Sequence, residues 1–395
     1  MVKGANAGLS SLGTTIFEVM SGLARDHGAV NLGQGTPEGL EPPDVIAEAA
    51  RAMAAGPHQY PPMLGLPELR QAIAAHDREW YGLELDWQRE ILITSGATGA
   101  LADCLFGLIE PGDEVVVLEP AYDSYLPIIR RAGGIPRLVR LAPPLWELPR
   151  EALRAAFSAK TKLILINSPM NPCAKVFSRA EQDFIAGLLE EFDAYAVCDE
   201  VYEHLVYDGL AHVPLISLPG LRERCVRIGS FGKIFSLTSW KVGYIAAAPA
   251  LLAPIAKTHQ FITFTTPTAL QAAVAWGLRH SGDYMRHLPG QLAARRDRLS
   301  SGLARLGFAP GRADGTYFLT ADFSAFGFNG DDAAFCTELV SRGGVATVPI
   351  SAFYERRADA DAPASTIRFC FAKTEAAIDD ALARLEGFLG GRAGV

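Results

Sequence analysis

The middle of the chain alternates two periodicities, and that alternation restricts the fold more than any other feature. Short apolar runs, "EILIT" (90–94), "DEVVVLEPAY" (113–122), "TKLILINSP" (161–169), "AYAVCDEVY" (194–202) and "CVRIGSFGK" (225–233), read as strands. Between them lie segments of helical period such as "GATGALADCLFGLI", "DSYLPIIRRAG" and "SRAEQDFIAGLLEEF". Strands apolar on both faces and joined by amphipathic helices predict a mostly parallel α/β sheet covered on both sides. Ser178, with Glu181 three residues on, marks a capping-box helix start.

The last hundred residues differ. "YFLTADFS", "GVATVPIS" and "TIRFCFA" read as short strands ahead of a final helix, "TEAAIDDALARLEGFL". At 395 residues the chain is long for one core. The expected organisation is a loop-rich N-terminal arm (1–44) belonging to the small domain, a large α/β domain (45–285) and a smaller α+β domain (286–395).

Composition excludes several classes. A formal net charge of −8 with no basic block argues against nucleic-acid binding, and "AARRDRL" at 293–299 reads as a solvated helix face. Six scattered cysteines form no CxxC pair, and the eight histidines show no HExxH spacing, so no metal site is expected. No signal-peptide core and no apolar run of about 18 residues is present, so the expectation is a soluble, cytoplasmic protein without a membrane span.

Polar residues gather where the strand runs end, which is where parallel α/β sheets hold ligands. Asp199 closes "AYAVC", with Glu200 beside it and Tyr202 three residues on. Asn167 and Asn171 follow "KLILI", and "SGATG" (95–99) opens a helix, where small residues let backbone N–H groups approach an anion. Each has an ordinary explanation when taken alone: a loop cap for Asp199, turn chemistry for the asparagines. No GxxxxGK[ST] loop occurs, and "GQGTPEG" (33–39) misses the GxGxxG spacing, so a nucleotide site is not expected. The segment "SFGKIFSLTSWKVGY" (230–244) adds two lysines, Lys233 and Lys241, in core-like surroundings. Together these residues call for a ligand with a phosphate, a cationic nitrogen, an oxyanion and a carbonyl that takes an amine; pyridoxal phosphate meets each requirement.

Over nearly its whole length the chain resembles the fold-type I, class I/II pyridoxal-phosphate aminotransferases. "SFGKIFSLTSWKVGY" is similar to their cofactor-lysine segment, "NSPMNPCAKVFS" to N-x-P-x-N-P-T-G and "CDEVYEHLVY" to D-E-x-Y. "VNLGQGTPEGLEPP", "HQYPPMLGLPELRQAIA" and "IRFCFAKTEAAID" fit in the same order. The first and last of these most resemble the kynurenine, glutamine and methionine aminotransferase branch, with succinyldiaminopimelate aminotransferases close to it.

The resemblance implies an amino-acid:2-oxo-acid aminotransferase that works by a ping-pong mechanism and uses pyridoxal 5'-phosphate. It implies that Lys233 bonds to the cofactor and shuttles the proton, and that Asp199 pairs with the ring nitrogen. Tyr202 and Asn171 would meet the phenolic oxygen, while Ser230, Lys241, Ala97 and Thr98 would hold the phosphate. Tyr122 would stack on the ring, Arg368 would grip the substrate carboxylate, and Gly35 would lie against the substrate. Tyr60 would reach the phosphate of a neighbouring subunit, which implies a homodimer with shared sites. Phe17, Tyr60, Tyr122 and Phe264 suggest a bulky neutral or aromatic amino donor over aspartate. A cysteine-conjugate β-lyase on the same scaffold and succinyldiaminopimelate transamination are the alternatives. The departures are Cys173-Ala174 in place of Thr-Gly, Ile16 where kynurenine-type members often carry tryptophan, and Thr98 where some relatives carry an aromatic residue.

Overall fold

The computed structural model describes residues 3–355 and 363–392. Its centre is a seven-stranded sheet of β1 (Ile91–Thr94), β2 (Glu114–Glu119), β3 (Ile135–Arg140), β4 (Thr161–Asn167), β5 (Tyr195–Asp199), β6 (Cys225–Ser230) and β7 (Gly243–Ala247). The order across the sheet is β1-β7-β6-β5-β4-β2-β3, and only β7 runs against its neighbours. The mostly parallel α/β architecture predicted from the alternation is therefore present.

Period-two burial explains why the strand runs are so apolar. Val116, Leu118, Ile164, Ile166, Ala196 and Cys198 share one core, in which the helix Arg179–Glu191 places Ile185, Leu188 and Leu189. Val115, Val117, Leu163, Leu165 and Val197 point the other way, into a core with Leu101, Cys104 and Leu105 of the helix Gly96–Leu108. The capping box forms: Ser178 Oγ accepts from Glu181 N at 3.3 Å, and Glu181 Oε2 accepts from Ser178 N at 2.8 Å.

Strand β3 did not stand out in the sequence. It is an edge strand whose outer positions are solvated, so its apolar alternation is broken by Pro136, Arg137 and Arg140.

The C-terminal part holds a four-stranded antiparallel sheet in which Phe318–Asp322 pairs with Thr366–Cys370, setting Thr320 opposite Arg368. The first residues are less loop-rich than expected, since Ile16–His27 is a helix. Thr15 caps its start, and Gly28, at φ 57°, takes the left-handed position that ends it. Val30–Asn31 then pairs with Val345–Ala346, so the arm is knitted to the C-terminal part.

Met20, Ala24, Leu32 and Leu40 share a core with Phe335, Leu339 and Phe369, whereas Val45 packs with Ile91 and Phe231 of the sheet region. The single helix Gly282–Arg305 crosses between the two cores, Met285 facing the sheet side and Leu288, Leu292 and Leu299 the other. Among the described residues no helix is long and apolar enough to cross a membrane.

Candidate active site

The carboxyl ends of β1, β4, β5 and β6 share one edge of the sheet, and a cavity of about 520 Å³ opens there. Asn167 and Asp199 are the last residues of paired strands, and Ser230 ends β6. The C-terminal part closes the opposite wall through Phe318 and Arg368, and the arm contributes Thr15, Phe17, Gln34 and Gly35. Of the residues expected from the sequence, Gly35, Ala97, Thr98, Tyr122, Asn171, Asp199, Tyr202, Ser230, Lys233, Lys241 and Arg368 all line this cavity. Tyr60 and Phe264 do not. Their rings pack edge to face at 5.5 Å on the outer surface, and Tyr60 is 82% exposed.

Lys233 stands in the short helical turn Phe231–Ile234 directly after β6. Its Nζ donates to Tyr317 Oη at 2.8 Å, and Tyr317 Oη donates to the Gly35 carbonyl at 2.9 Å. Burial destabilises the ammonium and brings the Lys233 pKa down to about 8, although Asp199 nearby favours the charge. Asp199 Oδ2 accepts from Tyr125 Oη at 2.6 Å. Burial pushes its carboxyl up to about 6, with the Tyr125 bond opposing the shift. The phenols behave alike: burial lifts Tyr122 to about 12 and also raises Tyr202 and Tyr317.

Arg368 is fully buried, and its guanidinium lies 3.8 Å from the Phe318 ring centre. Nη1 donates to Asn171 Oδ1 and Nη2 to the Gly33 carbonyl, both at 2.6 Å, while Nε has no partner among the described residues. No carboxylate pairs with it among the described residues, and burial brings its pKa down to about 10. A buried guanidinium held only by neutral groups is a site for an anion. Because Arg368 can only donate, Asn171 must offer it Oδ1, so its NH₂ remains free to donate elsewhere.

At the other end, Lys241 takes a left-handed backbone (φ 53°), which brings its side chain over the start of the helix Gly96–Leu108. A Cβ at Gly96 would lie 3.2 Å from Lys241 Cε and 3.4 Å from Nζ, so glycine keeps this cradle open. Lys241 makes no ion pair among the described residues. An ammonium, the N–H groups of a helix start and the Ser230 side chain together suit a phosphate. The site as a whole fits pyridoxal phosphate: an unpaired cation and helix start for the phosphate, a buried carboxylate for the ring nitrogen, and an amine of lowered pKa.

The sequence departures are accommodated in the structure. Ala174 adopts the left-handed conformation (φ 61°) at the place where the motif's glycine is usual. The buried loop around it is fixed by bonds from Ala174 N to the Met170 carbonyl and to the Ala174 carbonyl from Asp314 N and Gly315 N. Ile16 packs into the C-terminal core, so the neighbouring Phe17 is the aromatic residue that faces the cavity. Sequence reasoning missed Tyr125, Tyr317 and Asp123, which lines the cavity with its carboxyl pushed up by burial.

The family model of aminotransferase class I and II matches residues 27–385. A probable N-succinyldiaminopimelate aminotransferase of Mycobacterium tuberculosis (strain ATCC 25618 / H37Rv) is 41% identical over 379 residues, 94% of this chain and 95% of that protein. A methionine aminotransferase of Escherichia coli (strain K12) is 39% identical over 380 residues, 95% and 96% of the two chains. The three-dimensional structure of N-succinyldiaminopimelate aminotransferase from Mycobacterium tuberculosis superposes with a TM-score of 0.94 at 40% identity, covering 98% of this chain and all of that one (100%). Sequence, fold and cavity thus agree over nearly the whole length: the chain belongs to the class I and II aminotransferases and is a pyridoxal-phosphate-dependent aminotransferase.

Proposed function

We propose that the chain moves the amino group of a bulky neutral or aromatic L-amino acid, such as methionine, glutamine, phenylalanine or kynurenine, to a 2-oxo acid in two alternating half-reactions. The observation that carries this reading is the setting of Arg368. Among the described residues it is the one cavity cation left for a substrate carboxylate once Lys233 and Lys241 serve the cofactor, and the rings of Phe17, Phe318 and Phe353 surround it. Among the described residues no further cation lines the cavity to meet an acidic side chain, and Asp123 would repel one.

Pyridoxal phosphate, when bound, supplies a carbonyl for amines and an electron sink that makes the substrate α-proton removable. The chain's residues do the rest. Lys233 Nζ holds the cofactor between turnovers and, as a neutral amine, moves the proton to and from the substrate α-carbon. Asp199 keeps a proton on the ring nitrogen, with Tyr125 fixing the carboxylate's orientation. Asn171, through its free NH₂, and Tyr202 donate toward the phenolic oxygen. Ser230, Lys241, Ala97 and Thr98 hold the phosphate, and Tyr122 lies against the ring. Gly35 would lie against the substrate through its backbone, and a Cβ there would come 2.7 Å from Phe318 Cζ and displace that cavity ring. Tyr60 of a second copy completes the phosphate site, which makes the working unit a homodimer. Six buried, unpaired cysteines support a reducing, cytoplasmic setting.

A second reading has specific support: the relative at 41% identity is named for N-succinyldiaminopimelate. That donor carries two carboxylates beyond the one beside its reacting amine, and they would need cations other than those that line the cavity among the described residues. Purified, cofactor-loaded protein is tested with methionine, phenylalanine, kynurenine, aspartate, N-succinyldiaminopimelate and a cysteine S-conjugate, each with and without 2-oxo acids. Acceptor-dependent turnover of the neutral donors is expected. A large preference for aspartate would sink the donor assignment, preference for the succinylated donor would replace it, and acceptor-independent pyruvate would indicate a β-lyase.

A further inference from the structure

Apart from the cavity, the chain buries a second polar cluster that the reaction does not use. At its centre is Arg227, in β6 and fully buried. Nη1 donates to Asp77 Oδ2 at 2.6 Å, Nε to Glu200 Oε2 at 2.7 Å, and Nη2 to Glu203. One guanidinium therefore faces three buried carboxylates, and among the described residues two of these have no fixed counter-charge of their own. Buried charges persist when they are paired or coordinate a metal. Three histidines, His76, His204 and His212, and two tyrosines, Tyr81 and Tyr244, also contact the cluster.

Hydrogen bonding fixes how two of the histidines present themselves. Asp77 Oδ1 lies 2.9 Å from His76 Nδ1, and an ionised carboxylate can only accept, so His76 carries its proton on Nδ1. Its other nitrogen, Nε2, then turns a lone pair toward His204 Nε2, 2.8 Å away. A carboxylate behind one imidazole nitrogen, with the other nitrogen left as a donor atom, is the usual preparation of a metal-ligating histidine. The ligand atoms of His76, His204 and Glu203 all lie within 4.8 Å of one another. Among the described residues Glu203 Oε1 accepts only a long bond from Tyr244 Oη, 3.3 Å, so it keeps lone pairs for a cation.

We propose that His76, His204 and Glu203 bind one divalent transition-metal ion of the zinc class. Two imidazoles and one carboxylate suit zinc, cobalt or nickel better than calcium or magnesium, which prefer all-oxygen sites. Bonds of about 2.0–2.1 Å in tetrahedral geometry require the two Nε2 atoms to stand about 3.3 Å apart. The observed 2.8 Å must open by roughly half an ångström, and the Glu203 carboxylate, within 4.8 Å of both imidazole nitrogens, must close toward the same spacing, both by side-chain rotation. His204 passes its Nε2 proton to its own Nδ1, so no proton is lost, and the ion's two positive charges offset the two unmatched carboxylates. Water takes the fourth position. The ion ties the helix Pro67–Tyr81, which carries His76 and Asp77, to the segment after β5, which carries Tyr202 and follows Asp199. This is a structural clamp behind the cofactor site.

The test uses the cofactor-loaded enzyme, stripped with EDTA and titrated with zinc and, separately, with cobalt. Bound metal is measured by mass spectrometry after gel filtration. One zinc per chain and a tetrahedral cobalt spectrum are expected, with both lost in His76→Gln and in His204→Gln. Asp77→Asn should weaken zinc binding by about 10- to 100-fold. Cofactor absorbance reports whether each variant is folded. If the glutamine variants fail to fold, X-ray absorption of the zinc-loaded wild type decides by showing two imidazole ligands or not. Only trace metal at micromolar free zinc, no imidazole ligation, or undiminished binding in both folded variants would overturn the proposal, leaving the carboxylates balanced by protons on the histidines.

Discussion

Lys233 and Arg368 owe their chemistry to burial, and each makes a measurable prediction. Lys233 is a lysine whose pKa is lowered to about 8, so its amine is charged below that value and neutral above it. Only the neutral amine can attack a carbonyl. The rate at which apoprotein captures pyridoxal phosphate should therefore fall about tenfold per pH unit below 8 and level off above it. Stopped-flow absorbance measures this, and a midpoint near 10.5 would show that the amine is solvated. For Arg368, the substrate carboxylate stands to gain two charge-assisted hydrogen bonds worth about 1.5 kcal/mol each. Arg368→Lys removes the fork while keeping the charge, and kcat/KM for methionine should drop about 100-fold. Unchanged kinetics would mean that the carboxylate binds elsewhere.

At the scale of elements, the phosphate cradle depends on two glycines at which chain segments nearly touch. A Cβ at Gly243 would lie 2.7 Å from the Gly96 carbonyl carbon and 3.0 Å from Ala97 N, which are backbone atoms of the helix start. Gly243→Ala should displace that start at a cost of about 1–3 kcal/mol, weakening cofactor affinity about 5- to 150-fold. Equilibrium titration of the apoprotein checks this, and wild-type affinity would show that the helix start does not hold the phosphate. The elements differ in how readable they were. β1, β2, β4, β5 and β6 were legible because they are apolar on both faces; edge strand β3 was not, because only one of its six residues is fully buried. Lys233, Asp199 and Asn171 were legible because each sits in a short contiguous motif. Tyr125 and Tyr317 were invisible because their partners are 74 and 84 residues away, and a tyrosine in sequence does not announce what its hydroxyl meets. Arg368 was noticed as a lone charge in an apolar strand. Arg227 gave the same signal in "CVRIGS", but its carboxylates come from the helix Pro67–Tyr81 and from the segment just after β5, so the cluster exists only in the fold.

At the scale of the whole molecule, one copy does not use all of its exposed apolar surface. Tyr60, Phe261, Ile262 and Phe264 stand 82%, 80%, 59% and 40% exposed, close in sequence or in ring contact. If a second copy covers them, light scattering should give twice the chain mass. Phe261→Asp combined with Phe264→Asp should give monomers with weakened cofactor retention. Tyr60→Phe should cost about tenfold in cofactor affinity through one lost charge-assisted bond. A wild-type monomer with full activity would refute the shared site.

The central claim is a division of labour within fifteen residues (230–244): Lys233 takes the cofactor's carbonyl and Lys241 its phosphate. Borohydride reduction of the cofactor-loaded protein, followed by peptide mass spectrometry, tests it most directly. A phosphopyridoxyl group is expected on Lys233 alone, absent from Lys233→Ala and retained at lower yield in Lys241→Ala. Label on Lys241, on another lysine, or on none would contradict it.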